Sequence, residues 1–291
     1  MIELEKILKT RDILEEKSPL IHAITHPIAI NMVANVILFM KAKAICAAHP
    51  EEVAEIVEMS DSLSVSLGNI TSERMKAITI ACKEANKKNI PLIIDMVGVG
   101  ASSLRYNFAL NLLDGFHFDI IKGNSSEIRA LAKAKSNAKG IDVGKADEVC
   151  GDNIEIIAKE GRRLAVKYKS VVLVTGKTDL IVTENSYFTI DNGVENLSKI
   201  TGTGCMLTAM ISSLLAVCDS VSAGICALLL MEISAEKVDT DRLYTFFVNL
   251  MDEVATIKNS EIIEKAKVRE IKFWKNYILW QILISTTRKN S

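Results

Sequence analysis

Pro91-Leu92-Ile93-Ile94-Asp95, followed by Met96-Val97-Gly98-Val99-Gly100-Ala101-Ser102-Ser103, is the stretch whose reading decides the fold. An unbroken apolar run without alternation predicts a strand covered on both faces, as in a parallel sheet. The run ends in a carboxylate and a glycine-rich loop, and ligands of open α/β sheets bind outside the carboxyl ends of the strands. At that position Asp95 reads as a helix-capping acid, or as a group that orients metal-bound water or contacts phosphate. The loop lacks the GxGxxG spacing of a dinucleotide site.

The same pattern recurs on both sides. Leu20 to Thr25, Ala44-Ile45-Cys46, the alternating Leu63, Val65 and Leu67, Phe118-Asp119-Ile120-Ile121 and Val171 to Thr175 all read as strands. Helical stretches separate them. One opens at Pro50-Glu51-Glu52, and another is capped by Thr71 and striped by Met75, Ile78, Cys82 and Ala85. Asp152 is a candidate cap for the helix carrying Ile154, Ile157, Leu164 and Ala165, and Lys133 to Asp147 reads as a surface connection. Leu180 to Val182 and Tyr187 to Ile190 read as a hairpin. Strands alternating with helices predict a three-layer α/β/α architecture, a mainly parallel sheet with helices on both faces. Right-handed crossovers leave the strand carboxyl ends on one edge, which collects His26, Cys46, Gly68, Asp95, Lys122 and Thr175.

Two motifs bear on chemistry. Thr201-Gly202-Thr203-Gly204-Cys205 precedes the apolar run Met206-Leu207-Thr208-Ala209-Met210-Ile211, which predicts a helix beginning at about Cys205. Glycines there let a ligand approach the main chain, and the first helical N–H groups lie at the positive end of the dipole. The result is either a plain glycine turn or an anion hole built from Gly202, Thr203 and Gly204. A Cys205 thiol at such a terminus is expected to ionise more readily than usual. In Lys122-Gly123-Asn124-Ser125-Ser126-Glu127, Asn124 and Glu127 read as a capping box or as groups holding Mg²⁺ through water. Beyond Gly204 the chain reads as helical to about residue 270.

The chain has 291 residues, 49% hydrophobic, with net charge −1. That composition buries a large core in one domain and gives no general affinity for nucleic acid or acidic membranes. None of the six cysteines form a CxxC pair, a pattern of free thiols in a reducing cytosol. No apolar run reaches the length of a membrane span, so a cytoplasmic protein is expected.

Taken together, Ile24-Thr25, Asn31, Ala34-Asn35, Pro50-Glu51-Glu52-Val53, Asp95 to Ala101, Lys122 to Ile128, Val174-Thr175-Gly176 and Thr201 to Cys205 resemble the hydroxyethylthiazole kinase family, of the ribokinase-like superfamily, in order and spacing over residues 15–265. The resemblance implies Mg²⁺-assisted transfer of the ATP γ-phosphoryl group to the primary hydroxyl of 4-methyl-5-(2-hydroxyethyl)thiazole, a step of thiamine salvage. It puts Cys46 and Gly202 at thiazole-binding positions, with His26 beside them, and Lys122 and Thr175, with Asn124, at ATP-binding positions. Asp95 and Glu127 match acidic positions near Mg²⁺, and Cys205 is the candidate general base. It also implies a homotrimer with sites at subunit interfaces, and a single kinase domain over residues 1–270. Residues 271–291, which hold both tryptophans, remain as a C-terminal extension.

Departures cluster at the same edge. Cys46 stands where the family usually carries methionine, Lys122 where it carries arginine, and His26 where it carries asparagine. Met96 and Asn69 replace a proline and a threonine. Lysine keeps the charge of arginine but loses its two-pronged grip on phosphate. Two alternatives stay open: a related small-alcohol kinase acting on a hydroxymethylpyrimidine or a sugar, and a ligand-binding homologue without turnover.

Overall fold

A computed structural model describes residues 2–132 and 153–273. Strands β1 (Leu20–Ile24), β2 (Lys43–Ile45), β3 (Ser62–Ser66), β4 (Leu92–Asp95), β5 (Ile120–Asn124), β6 (Val171–Thr175), β7 (Asp179–Val182), β8 (Ser186–Ile190) and β9 (Val268–Lys272) form one sheet. Their spatial order is β2-β1-β3-β4-β5-β6-β7-β8-β9. The pairs from β2 through β6 are parallel, and those from β6 through β9 are antiparallel.

Adjacent residues of the parallel strands feed opposite cores. Ile93 and Ile120 point into one apolar cluster, Ile94 and Ile121 into the other. This is why those strands are apolar without alternation. The first cluster holds buried side chains from α1 (Leu4–Leu8), α2 (Thr10–Lys17), α3 (Ile30–Phe39), α9 (Thr203–Leu215), α10 (Ser220–Glu236), α11 (Leu243–Thr256) and α12 (Asn259–Lys265). The second takes α4 (Val53–Glu58), α5 (Ser72–Lys88), α6 (Ser103–Gly115), α7 (Ser125–Ala132) and α8 (Ile154–Tyr168). Three layers result.

Helix α9 is the most deeply enclosed element beside the site. Every residue from Cys205 to Leu215 is buried, as an all-round apolar helix requires. Its few polar groups find partners: Ser212 Oγ lies 2.8 Å from Ser62 Oγ on β3.

Three local expectations change. Strand β5 continues past Ile121 to Asn124, so Lys122 and Gly123 are sheet residues. Helix α9 opens at Thr203, two residues before Cys205. The helical run does not reach residue 270: α12 ends at Lys265, and Val268–Lys272 pairs antiparallel with β8. The expected surface connection 133–147, the candidate cap Asp152 and both tryptophans lie outside the described residues. Among the described residues no helix is long and apolar enough to cross a membrane.

Candidate active site

Gly202 opens the site. Its φ of +100° is in the left-handed region that favours glycine, and a Cβ there would also displace the flexible end of Met32, whose Cε would stand 1.9 Å away. The first intrahelical bond of α9 runs from Met206 N–H to Gly202 C=O. The N–H groups of Thr203, Gly204 and Cys205 therefore precede the hydrogen-bonded ladder and sit at the positive pole of a thirteen-residue helix. The Thr203 hydroxyl serves structure: it faces the carbonyls of Leu197 and Ile200, at 2.9 and 3.1 Å, and closes the preceding turn. Of the expected anion hole, the backbone of this residue remains and the side chain does not.

Beside that terminus lies a buried ion pair. Lys122 Nζ donates to Asp95 Oδ2 at 3.1 Å, and the Thr208 hydroxyl donates to the same oxygen at 2.9 Å. Burial by itself lowers the Lys122 pKa, but the acidic groups around it, Asp95 foremost, together outweigh it and the ammonium is held more firmly than usual. The ammonium also lies close to α9, 3.7 Å from where a Cβ on Gly204 would be. A third positive element thus joins the backbone N–H groups and the helix dipole.

Asn124 and Glu127 form the reciprocal cap. Glu127 N–H donates to Asn124 Oδ1 at 2.9 Å, and Asn124 N–H donates to Glu127 Oε2 at 2.8 Å. The other oxygen, Oε1, accepts from Gly98 N–H at 2.7 Å. Glu127 thereby ties the loop after β4 to the start of α7. Burial, and then the nearby Asp95 charge, push its pKa up.

Cys205 stands on the first turn of α9, its Sγ 3.3 Å from His26 Nε2. The expectation of an easily ionised thiol is overturned. Burial, then the Asp95 charge, push the pKa up by more than Lys122 and the facing Thr25 and Ser66 hydroxyls bring it down. Desolvation of a residue only 5% exposed is the largest of these causes. His26 moves the other way: burial, then Arg74, lower its pKa.

The remaining expected residues flank this group. Cys46 follows β2 on the same sheet edge, half-buried, with its thiol pushed up by burial. Thr175 ends β6 opposite Asn124 in the register of the sheet. Neither side chain hydrogen-bonds to the central group among the described residues.

Sequence reasoning missed the supports. Thr208 carries a signal, a polar residue inside an apolar helical run. Arg74 and Arg105 carry none, because arginines are ordinarily surface residues. Arg74 donates to the carbonyls of Gly68 at 2.5 Å, Asn69 at 2.7 Å and Ser66 at 3.2 Å. Arg105 donates to the Leu67 carbonyl and, at 3.1 Å, to that of Val97. Together they brace the turn after β3 against His26.

The mainly parallel sheet between two helical layers, with its ligand edge at the strand carboxyl ends, defines a ribokinase-like α/β fold. A ribokinase-like superfamily protein from Enterococcus faecalis shares it with a TM-score of 0.56 at 14% identity, over 84% of this chain and 94% of that one. The model of the hydroxyethylthiazole kinase family matches residues 12–260, and the chain belongs to that family. Hydroxyethylthiazole kinase 2 of Clostridium botulinum (strain 657) is 43% identical over 262 residues, 90% of this chain and 99% of that relative. The solved hydroxyethylthiazole kinase of Pyrococcus horikoshii matches with a TM-score of 0.83 at 30% identity, over 92% of this chain and 99% of that one.

Proposed function

We propose that this protein transfers the γ-phosphoryl group of ATP to the primary hydroxyl of 4-methyl-5-(2-hydroxyethyl)thiazole, supplying the phosphate ester for thiamine formation. Membership of the hydroxyethylthiazole kinase family is the observation that carries this reading. Phosphoryl transfer asks for alignment and for stabilisation of charge on the transferred oxygens, with little covalent work by the protein. The free N–H groups of residues 203–205 and the Lys122 ammonium supply positive charge at one point.

In this reading Gly202, Thr203 and Gly204 offer backbone donors, while Lys122, Asn124 and Thr175 line the nucleotide side. His26, Cys46 and Gly202 line the thiazole side, with Cys205 beside the reacting hydroxyl. Asp95 and Glu127 are the acids for Mg²⁺. Among the described residues no three histidine, cysteine or acidic side chains gather to ligate a cation directly. The acids' ordered oxygens suit an ion held through water and through the nucleotide. When bound, Mg²⁺ neutralises charge on the β- and γ-phosphates.

We also propose a cytoplasmic homotrimer with a single kinase domain over residues 1–270 of each chain and residues 271–291 as a C-terminal extension. Free thiols at Cys46, Cys82, Cys205, Cys218 and Cys226 support the compartment. The exposed apolar side chains Ile28 and Ile30, two and four residues after His26 in the chain, support a subunit interface at the site. Mass spectrometry of products from Mg²⁺-ATP with equimolar hydroxyethylthiazole, hydroxymethylpyrimidine and ribose tests the acceptor. The thiazole phosphate as main product is expected, and another phosphate ester in its place would overturn the assignment.

A further inference from the structure

Glu232 lies between two turns at the ligand edge of the sheet. Strand β7 runs back from the end of β6 and β8 returns to it, with Asp179 opposite Ile190 in the register. The turns 176–178 and 191–193 therefore lie side by side, at the edge where ligands of open α/β sheets bind. The first follows Thr175 directly. The second leads through a 3₁₀ helix, Glu195–Lys199, to Gly202 and the start of α9. The Thr178 hydroxyl joins the two turns, donating to Asp191 Oδ1 at 2.7 Å.

Helix α10 grips both turns with two acids, Glu232 and Glu236, one helical turn apart. Asp179 Oδ1 accepts from Gly176 N–H at 2.7 Å, and the same carboxylate hydrogen-bonds with Glu232. On the other turn, Glu236 Oε1 accepts from Gly193 N–H at 2.9 Å and from Asn192 Nδ2 at 3.1 Å. Gly193 also lies against the Glu232 stem: a Cβ there would stand 3.4 Å from Glu232 Cγ. Glu232 and Asp179 are only 5% and 7% exposed, and two carboxyl groups in contact cannot both ionise readily. Burial, then the Asp179 charge, keep the proton on Glu232. Glu232 is thus the donor, and Asp179 the acceptor that also holds Gly176.

We propose that Glu232 is a positioning residue for the nucleotide: acting through Asp179 it fixes the turn beside Thr175, and under Gly193 it fixes the turn that leads to the backbone donors of α9. The inference rests on the kinase reading above, in which Thr175 lines the nucleotide side. Glu232 itself touches no substrate. An apolar side chain would fill the same space without the cost of burying a carboxyl group. What it would not supply is the proton that Asp179 accepts while it holds Gly176. Glutamine keeps a donor at the same length, aspartate keeps the acid but falls one methylene short, and leucine keeps the volume alone.

The test measures ATP binding by calorimetry, with kcat and KM for Mg²⁺-ATP and for hydroxyethylthiazole, in wild type, Glu232→Gln, Glu232→Asp and Glu232→Leu. Glu232→Leu and Glu232→Asp should weaken ATP binding and raise KM for ATP about tenfold, since a misplacement of about 1 Å suffices for such a loss. KM for the thiazole alcohol should stay nearly unchanged, and Glu232→Gln should bind ATP as wild type does. ATP affinity unchanged in the folded leucine and aspartate variants would overturn the proposal. So would an equal rise in both KM values, the mark of a general loss of structure. Binding of ATP without turnover of any acceptor would overturn the kinase reading alone, because the ATP affinities still decide the role of Glu232. If neither the leucine nor the aspartate variant folds, hydrogen exchange in wild type decides it. ATP should slow exchange in peptides covering 176–179 and 191–193, and no change in either would overturn the proposal.

Discussion

Lys122 Nζ stands 3.1 Å from Asp95 Oδ2, with the two side chains only 3% and 1% exposed. A pair this deep is held by mutual charge and by the Thr208 hydroxyl on the same oxygen. Removing one partner leaves a buried charge without compensation. Lys122→Met should cost about 3–5 kcal/mol of stability. Thr208→Val, which leaves the ion pair in place, should cost about 1 kcal/mol. Denaturant midpoints measure both, and equal losses would mean that the ion pair is not the dominant support.

Gly202 meets one firm obstacle to a side chain, its φ of +100°, and one that can yield, the flexible Met32 methyl 1.9 Å from a Cβ. Gly202→Ala should lower kcat at least about 10²-fold, by shifting donors that must be placed to within a fraction of an ångström. Adding Met32→Ala removes the clash but not the backbone strain, which costs about 1–3 kcal/mol. Little recovery in the double variant is expected. Full recovery would show that the positive φ has no role.

Gly68 has no such backbone constraint but touches the His26 ring. Gly68→Ala should push that ring off Cys205 and raise KM for the thiazole alcohol, with little change in melting temperature. A wild-type KM in Gly68→Ala would show that the ring keeps its place by other contacts.

Away from the site, Glu232 on α10 faces Asp179 on β7, and burial, then the Asp179 charge, raise its pKa well above the ordinary carboxyl value. A raised folded-state pKa means that the native state holds the proton more tightly than the unfolded chain. The associated stability is complete below the unfolded carboxyl range and is lost as pH rises toward the folded value, by at most about 1.4 kcal/mol per pH unit for one proton. Glu232→Gln fixes the neutral form. Its stability relative to wild type should therefore increase steadily from about pH 5 to 8. A difference that stays flat with pH would place the proton elsewhere.

The sheet was legible where strands are doubly covered, as at Leu92–Asp95 and Val171–Thr175, because continuous apolar runs have few other uses. Strand β9 was not. Val268-Arg269-Glu270-Ile271-Lys272 carries charges on its exposed face, as an edge strand should, and so resembles the helix before it. In the site, the strand-end residues and the glycine-bracketed helix start could be read from position alone. The Cys205 ionisation could not, since a helix terminus is visible in sequence and desolvation is not. The contact of His26 with Cys205 joins residues 179 apart in the chain. Only the crossover of β1 and α9 at one edge brings them together.

The central claim is phosphoryl transfer to the thiazole alcohol, and ADP release from Mg²⁺-ATP tests it most directly. The assay runs with hydroxyethylthiazole, with hydroxymethylpyrimidine, with ribose and with no acceptor. Release that depends on the thiazole alcohol, and that falls sharply in Cys205→Ala, is the predicted result. Release equal with and without acceptor, or driven only by ribose or the pyrimidine, would contradict it.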